Sequence, residues 1–486
     1  MARLTFTLTN ETDKSAYPHE ESSFLAMSSV AAPTVSLAAD RPPLEIVAVI
    51  DVSGSMQGQK MELMKQTLKL LVTRAGLRSA DMLGIVTFSS DTNTALPLTK
   101  MDGEGLQRAS GVVSKLQAGG GTNLSGGLLQ GIDMLQAVRS TNQSSTTRAV
   151  LLFTDGQANG GICDPTEMVS AAEGALTGAP TAIFTFGFGS DHNEDLLQAI
   201  SAATSSLYYF IQDTDSISSA FADCLGGLLS VVAQNVTLEL KTTGGEHRIA
   251  TIRSVLGNAY TSSVDEGGAH ATVQLGDLYS EDEKDVLYEL KLHSHVKMAH
   301  GMAAEAPPPV DSGATPAADW EGCPILEVKL RFFCVAEKRI KEVKSLLSVC
   351  RSEDASQAAI NTKLDAQRNR LLVAEALKTA TSCADQGKLS EGKVLLDEVI
   401  VKITASVSAD SDISRALVDD VRRLRVGYQD QLQYNEWGSK LSRMTSMSHS
   451  CQRSTHDSPM NDQMHPLTYR GGSAGKGSLK RSWSMK

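Results

Sequence analysis

A chain of 486 residues exceeds what one hydrophobic core usually organises, and at roughly 150 residues per domain it predicts about three domains. Hydrophobic residues at 41% and charged ones at 21% are ordinary globular usage, which excludes a wholly disordered chain. The 45 basic and 56 acidic residues leave a net charge of -11, which argues against nucleic acid as a partner, because phosphate backbones are bound by basic surfaces.

Residues 1–43 open with a period-two stretch from Leu4 to Leu8 and close on Arg41-Pro42-Pro43, predicting a strand and then a linker. A short amphipathic strand is not stable alone, so this one is expected to pack on a sheet elsewhere in the chain. From 44 to 234, apolar runs at 45–50, 82–88, 149–154, 181–189 and 207–212 alternate with helical patterns at 60–74, 124–138, 193–203 and 217–233. That alternation predicts a doubly wound, Rossmann-like α/β domain with a parallel sheet between helices. Residues 235–335 change to strict alternation, as in Val236 to Leu240, Tyr288 to Leu292 and Ile325 to Val335, predicting a β-sandwich on which the N-terminal strand packs. The Ala/Pro-rich stretch 302–319 is expected to be a mobile loop between two of its strands. Residues 336–437 are rich in Ala, Leu, Lys and Glu, with Gly387 between two amphipathic runs, and predict a helical hairpin or bundle. Residues 438–486 predict a disordered basic tail, being rich in Ser, Met, Gly and basic side chains.

The first residues lack a basic segment followed by an apolar core, and no run of 18 apolar residues occurs, so neither a secretory leader nor membrane insertion is expected. Seven scattered cysteines without a Cys-x-x-Cys pair predict reduced thiols and a cytoplasmic location.

The chemistry concentrates at strand ends. The run 45–50 leads into Asp51-Val52-Ser53-Gly54-Ser55-Met56, and a helical pattern follows from Lys60. In an open parallel sheet, ligands bind beyond the carboxyl ends of the strands. Gly119-Gly120-Gly121-Thr122-Asn123 and Phe153-Thr154-Asp155-Gly156 fall at equivalent ends, so the three segments are expected to converge. Asp51, Ser53, Ser55, Thr122 and Asp155 then offer five hard oxygen ligands, which suit Mg²⁺, with Mn²⁺ or Ca²⁺ as alternatives. Five protein oxygens leave one octahedral position for water or a partner's carboxylate.

These residues match, one by one, the metal-ion-dependent adhesion site of the von Willebrand factor type A family, which the chain resembles. Residues 187–192 and 221–228 are similar to an intracellular subfamily whose type A domain is followed by a dedicated, type A-interacting β-rich domain. The segment from Met444 to Thr455 is similar to a signature that follows the helices of those proteins. The resemblance implies protein binding. Some subfamily members are RING-type ubiquitin ligases, but no Cys/His zinc array accompanies the domain in this sequence, so ubiquitin transfer is not expected to carry over.

Enzymatic alternatives lack their residues. A haloacid dehalogenase-type phosphotransferase needs a second Asp where Ser53 stands, and no phosphate-binding loop, His-Glu-x-x-His or Gly-x-Ser-x-Gly motif occurs. His192 lies just past a strand end and is expected to make a loop-stabilising hydrogen bond. The expectation is a non-enzymatic interaction scaffold whose Mg²⁺ site binds an Asp or Glu of a partner protein. The alternative is a substrate adaptor or subunit of a ubiquitin-ligase or chaperone assembly with the catalytic module on another chain.

Overall fold

The computed structural model describes residues 4–35, 41–74, 76–137, 146–176, 181–245, 248–257, 260–294, 322–352 and 354–452. The stretch 302–319, expected to be a mobile loop, and the tail from 453 onward lie outside the described residues.

The chain opens with β1 (Thr7–Thr12) and β2 (Ser22–Ala31). Next comes an α/β body of β3 (Leu44–Asp51), α1 (Gln59–Arg74), β4 (Met82–Phe88), β5 (Thr92–Lys100), α2 (Gly103–Lys115), α3 (Leu124–Gln136), β6 (Thr147–Thr154), α4 (Pro165–Ala175), β7 (Ala182–Phe188), α5 (Glu194–Ala202), β8 (Tyr208–Ile211) and α6 (Thr214–Leu229). Its six-stranded sheet has the order β5-β4-β3-β6-β7-β8. All neighbours pair parallel except β5, an antiparallel edge strand. β3 and β6 are buried along their whole length, as central strands covered on both faces must be. Their register sets Ile50 opposite Phe153, which brings the segments after both strands side by side at one edge.

Beyond α6 the strands are antiparallel: β9 (Val231–Thr242), β10 (Ala250–Val255), β11 (Thr261–Val264), β12 (His270–Tyr279), β13 (Glu283–Leu292), β14 (Cys323–Cys334) and β15 (Arg339–Val349). They form two sheets, β1-β2-β13-β10 and β11-β12-β9-β14-β15, whose inward side chains share one core containing Phe6, Leu8, Phe24, Leu238, Tyr288 and Phe332. The Phe6 and Phe332 rings lie 4.2 Å apart, so the first described residues close onto a strand more than 300 positions later. The α/β body is thus inserted between β2 and β9 of the β-rich body.

The helices that follow are α7 (Thr362–Asp385), α8 (Leu389–Thr404), α9 (Asp412–Val426), the short α10 (Gln431–Gln433) and α11 (Ser439–Ser450). Three expectations need correction here. Residues 339–349 are not helical: β15 is an edge strand whose inward positions include Val343, Leu347 and Val349, and pairing with β14 overrides the helix propensity of its Lys, Glu and Leu residues. Residues 439–450 are not a disordered tail, because α11 is buried against α7 and α5, and Gln452 just beyond it is bound to β13, by hydrogen bonds that composition does not reveal. The helix expected to run to 233 ends at Leu229, where β9 takes over. Among the described residues no helix is long and apolar enough to cross a membrane.

Candidate functional site

Each predicted oxygen ligand follows from local geometry. β3 carries Asp51 at its last position, and the Asp51 carboxylate turns back to accept from the Ser53 amide at 2.8 Å. That closes the turn which aims Ser53 and Ser55 the same way, their hydroxyls 3.0 Å apart. The backbone of Gly54 donates to the Gly120 carbonyl at 3.0 Å, and Gly119 donates to Val52 at 2.7 Å, which bind the glycine-rich segment to this turn. Thr122 follows, its amide held at 2.7 Å by the Asn159 side chain from the loop after β6. On β6, the Thr154 hydroxyl donates to Asp51 at 2.6 Å, and the next residue, Asp155, accepts from the Ser55 hydroxyl at 2.8 Å. A first side-chain carbon added at Gly156 would stand 3.5 Å from Ser55 Oγ and 3.7 Å from Thr122 Oγ1, which places both hydroxyls beside the start of the loop after β6. All five predicted residues therefore come together.

Asp51 and Asp155 are fully buried, Ser53 and Thr122 nearly so, and Ser55 lies at the exposed lip. Burial pushes the Asp51 carboxyl up; hydrogen bonds from Ser53 and Thr154 oppose this, and the charge of Asp155 adds to it. Part of the negative charge is met by Lys60, whose ammonium lies 2.6 Å from Asp155 and 3.2 Å from Asp191. Burial works against that ammonium, but pairing with the two carboxylates outweighs it and holds its pKa above the usual value. Among the described residues no three His, Cys, Asp or Glu side chains gather into a metal cluster. A cation at this edge would therefore rely on hydroxyls as well as carboxylates, a donor set that hard divalent ions accept.

Sequence reasoning missed Lys60, Thr154, Asn159 and Asp191 as parts of this site. Lys60 had a usable signal: a lysine in the first turn of a helix stands against the helix dipole and calls for a nearby anion. His192 is 3% exposed and hydrogen-bonds the Gly189 carbonyl at 2.8 Å and the Tyr208 hydroxyl at 2.6 Å, a loop-fastening role.

Residues 45–223 match the von Willebrand factor type A domain, so the chain carries such a domain. The chain is 28% identical over 269 residues to the E3 ubiquitin-protein ligase WAV3 of Arabidopsis thaliana, covering 54% of this chain and 32% of WAV3. It is 31% identical over 219 residues to inter-alpha-trypsin inhibitor heavy chain H3 of Bos taurus, covering 42% of this chain and 24% of that one. The chain thus spans a quarter to a third of the length of these relatives. A solved structure, the von Willebrand factor type A protein from Catenulispora acidiphila, superimposes with a TM-score of 0.64 at 16% identity, covering 86% of this chain and 89% of its own, and shows a shared fold. The expectation that the chain is not an enzyme is overturned by its relatives, since several matched over about half of it are named E3 ubiquitin-protein ligases. That expectation rested on the absence of a zinc array and of the residues that phosphotransfer, nucleotide hydrolysis and proteolysis need, and the match to WAV3 takes in only a third of that protein.

Proposed function

We propose that the chain binds partner proteins through the edge marked by Asp51, with a divalent ion, Mg²⁺ or alternatively Mn²⁺ or Ca²⁺, held by Asp51, Ser53, Ser55, Thr122 and Asp155 as a complete metal-ion-dependent adhesion site. Bound there, the ion would supply a Lewis-acidic position for a carboxylate oxygen from an Asp or Glu of the partner. The observation that supports this most is the pair of contacts made by Ser55, 3.0 Å to Ser53 and 2.8 Å to Asp155, which joins the ends of β3 and β6 through side-chain oxygens. Thr154 and Asn159 are positioning residues: the first fixes the Asp51 carboxylate, and the second fixes the backbone of Thr122. The β-rich body, in this reading, is the type A-interacting domain of the intracellular subfamily noted above. The names of the Arabidopsis relatives favour a setting for this recognition: presentation of substrates in a ubiquitin-ligase assembly.

The test is calorimetry and thermal shift on the full chain. Mg²⁺ at a hundred times its dissociation constant is expected to add about 2.7 kcal/mol of stability, and Asp51→Ala to abolish the response. Ser53→Ala is expected to weaken it without unfolding the protein. Co-purification in Mg²⁺ and in EDTA, read by mass spectrometry, then identifies the metal-dependent partners. A wild-type chain with no response to Mg²⁺ or Mn²⁺ defeats the metal reading, and a response that survives Asp51→Ala moves the ion elsewhere.

A further inference from the structure

Lys60 is the second residue of α1, a position at which the helix N-terminus disfavours a cation. Its ammonium nevertheless lies 2.6 Å from Asp155 Oδ2 and 3.2 Å from Asp191 Oδ2. The two carboxylates differ in setting: the Asp155 side chain is fully buried, while that of Asp191 is 70% exposed. A path is built for the lysine stem. It crosses Gly189, where φ is +69° and an added side chain would come within 3.1 Å of Lys60 Cε.

We propose that Lys60 is a tethered counter-cation of the Asp51–Asp155 site, displaced from Asp155 by the divalent ion and then retained at the rim by Asp191. The inference rests on the metal reading above and adds to it what sets the affinity. Both oxygens of Asp155 are engaged by the protein itself, Oδ1 by the Ser55 hydroxyl and Oδ2 by the Lys60 ammonium. A divalent ion that takes Asp155 as a ligand must repel the ammonium from Oδ2, since like charges at contact distance oppose one another strongly in a buried setting. Asp191 already shares the ammonium, so displacement needs a swing of the side chain and leaves no charge unpaired. The exchange keeps the buried carboxylate compensated in both states, which an unpaired carboxylate at full burial would not be. It also means that the metal-loaded face carries a positive side chain beside the position offered to a partner's acid.

The experiment is Mg²⁺ and Mn²⁺ titration calorimetry on the full chain as wild type, Lys60→Met, Asp191→Asn and the double variant. Lys60→Met is expected to bind metal about tenfold more tightly, and Asp191→Asn several-fold more weakly, because the ammonium then has Asp155 alone. Asp191→Asn is expected to change nothing once Lys60 is gone, since Asp191 acts through the lysine; effects that simply add would mean two independent charges and overturn the exchange. Equal affinity of wild type and Lys60→Met, with binding still abolished by Asp51→Ala, overturns the role of Lys60 and leaves the metal site standing. No binding in any of the four proteins overturns both. Lys60→Gln, which loses the charge and keeps a hydrogen-bond donor, answers the same question should the methionine variant not fold.

Discussion

In the type A sheet, β3 and β6 bury every residue, and eleven of those sixteen side chains are apolar, the polar five standing at or next to the strand ends. Helix α11 buries all of its twelve residues except Leu441 and Ser450, yet most of the buried ones are Ser, Thr, Lys, Arg or His. The first region is held by apolar area, which is non-directional and tolerant of shape-conserving change. The second is held by addressed contacts. Arg443 reaches Asp195 and Asp385 at 2.6 Å each, Ser439 reaches Glu194 at 2.7 Å, Ser446 bonds the Ala374 carbonyl, and the Arg370 guanidinium caps the His449 carbonyl. Gln452, just past the helix, pairs with both the amide and the carbonyl of Asp285 in β13. A polar helix buried at the meeting of three bodies specifies one docking arrangement, because each misplaced residue would strand a buried polar group.

The contrast yields predictions of decreasing size. Leu151→Ala, at a fully buried position in the centre of β6, is expected to cost about 4 kcal/mol in urea unfolding, whereas Leu151→Met is expected to cost less than about 1.5 kcal/mol. Arg443→Ala is expected to cost about 3 kcal/mol, at the low end for a buried pair because Asp195 keeps much of its hydration. Here the conservative change does not rescue: Arg443→Lys cannot span Asp195 and Asp385 with one fork, and about half the loss is expected to remain. A lysine variant as stable as wild type would break the comparison. The effect that is smallest near neutral pH, and grows only on acidification, lies between the two regions, at His192. Burial pushes this imidazole down from its ordinary 6.5 to about 4, with the charges of Glu194, Lys440 and Lys60 acting on it in turn. Its folded pKa lies below the unfolded one, so its contribution is intact above pH 6.5 and is lost as pH falls towards 4, by up to about 1.4 kcal/mol per unit. Stability measured against pH for His192→Gln is expected to show a flatter acid limb; an unchanged slope would mean that His192 titrates normally.

The same contrast explains what the sequence disclosed. The apolar runs ending in Asp51 and Thr154 marked buried parallel strands, and the position of the oxygen-bearing residues followed from the sheet's topology. The edge strand β5 carries exposed and intermediate residues around Leu96 and gave no comparable run. β15 held a period-two pattern at Val343, Leu347 and Val349 that its Lys and Glu content obscured. α11 was illegible for a deeper reason: Ser, Met and basic residues read as a solvated tail unless their partners, Asp195, Asp385 and Asp285, are known to stand opposite. Lys60 fell between these cases, since its dipole conflict was readable but its partners, Asp155 and Asp191, lie 95 and 131 positions away.

The insertion of the type A domain between β2 and β9 has a mechanical consequence. The strand leading in and the strand leading out meet at Ser280: the Val35 amide donates to its hydroxyl at 2.8 Å, and its own amide donates to the Ser230 carbonyl at 2.7 Å. Both legs of the domain are thus fastened at one spot on the turn between β12 and β13. With α11 docked on α5 of the domain and on α7 as well, the domain is held at the Ser280 legs and again at this helix, and it is not free to swing about the legs alone.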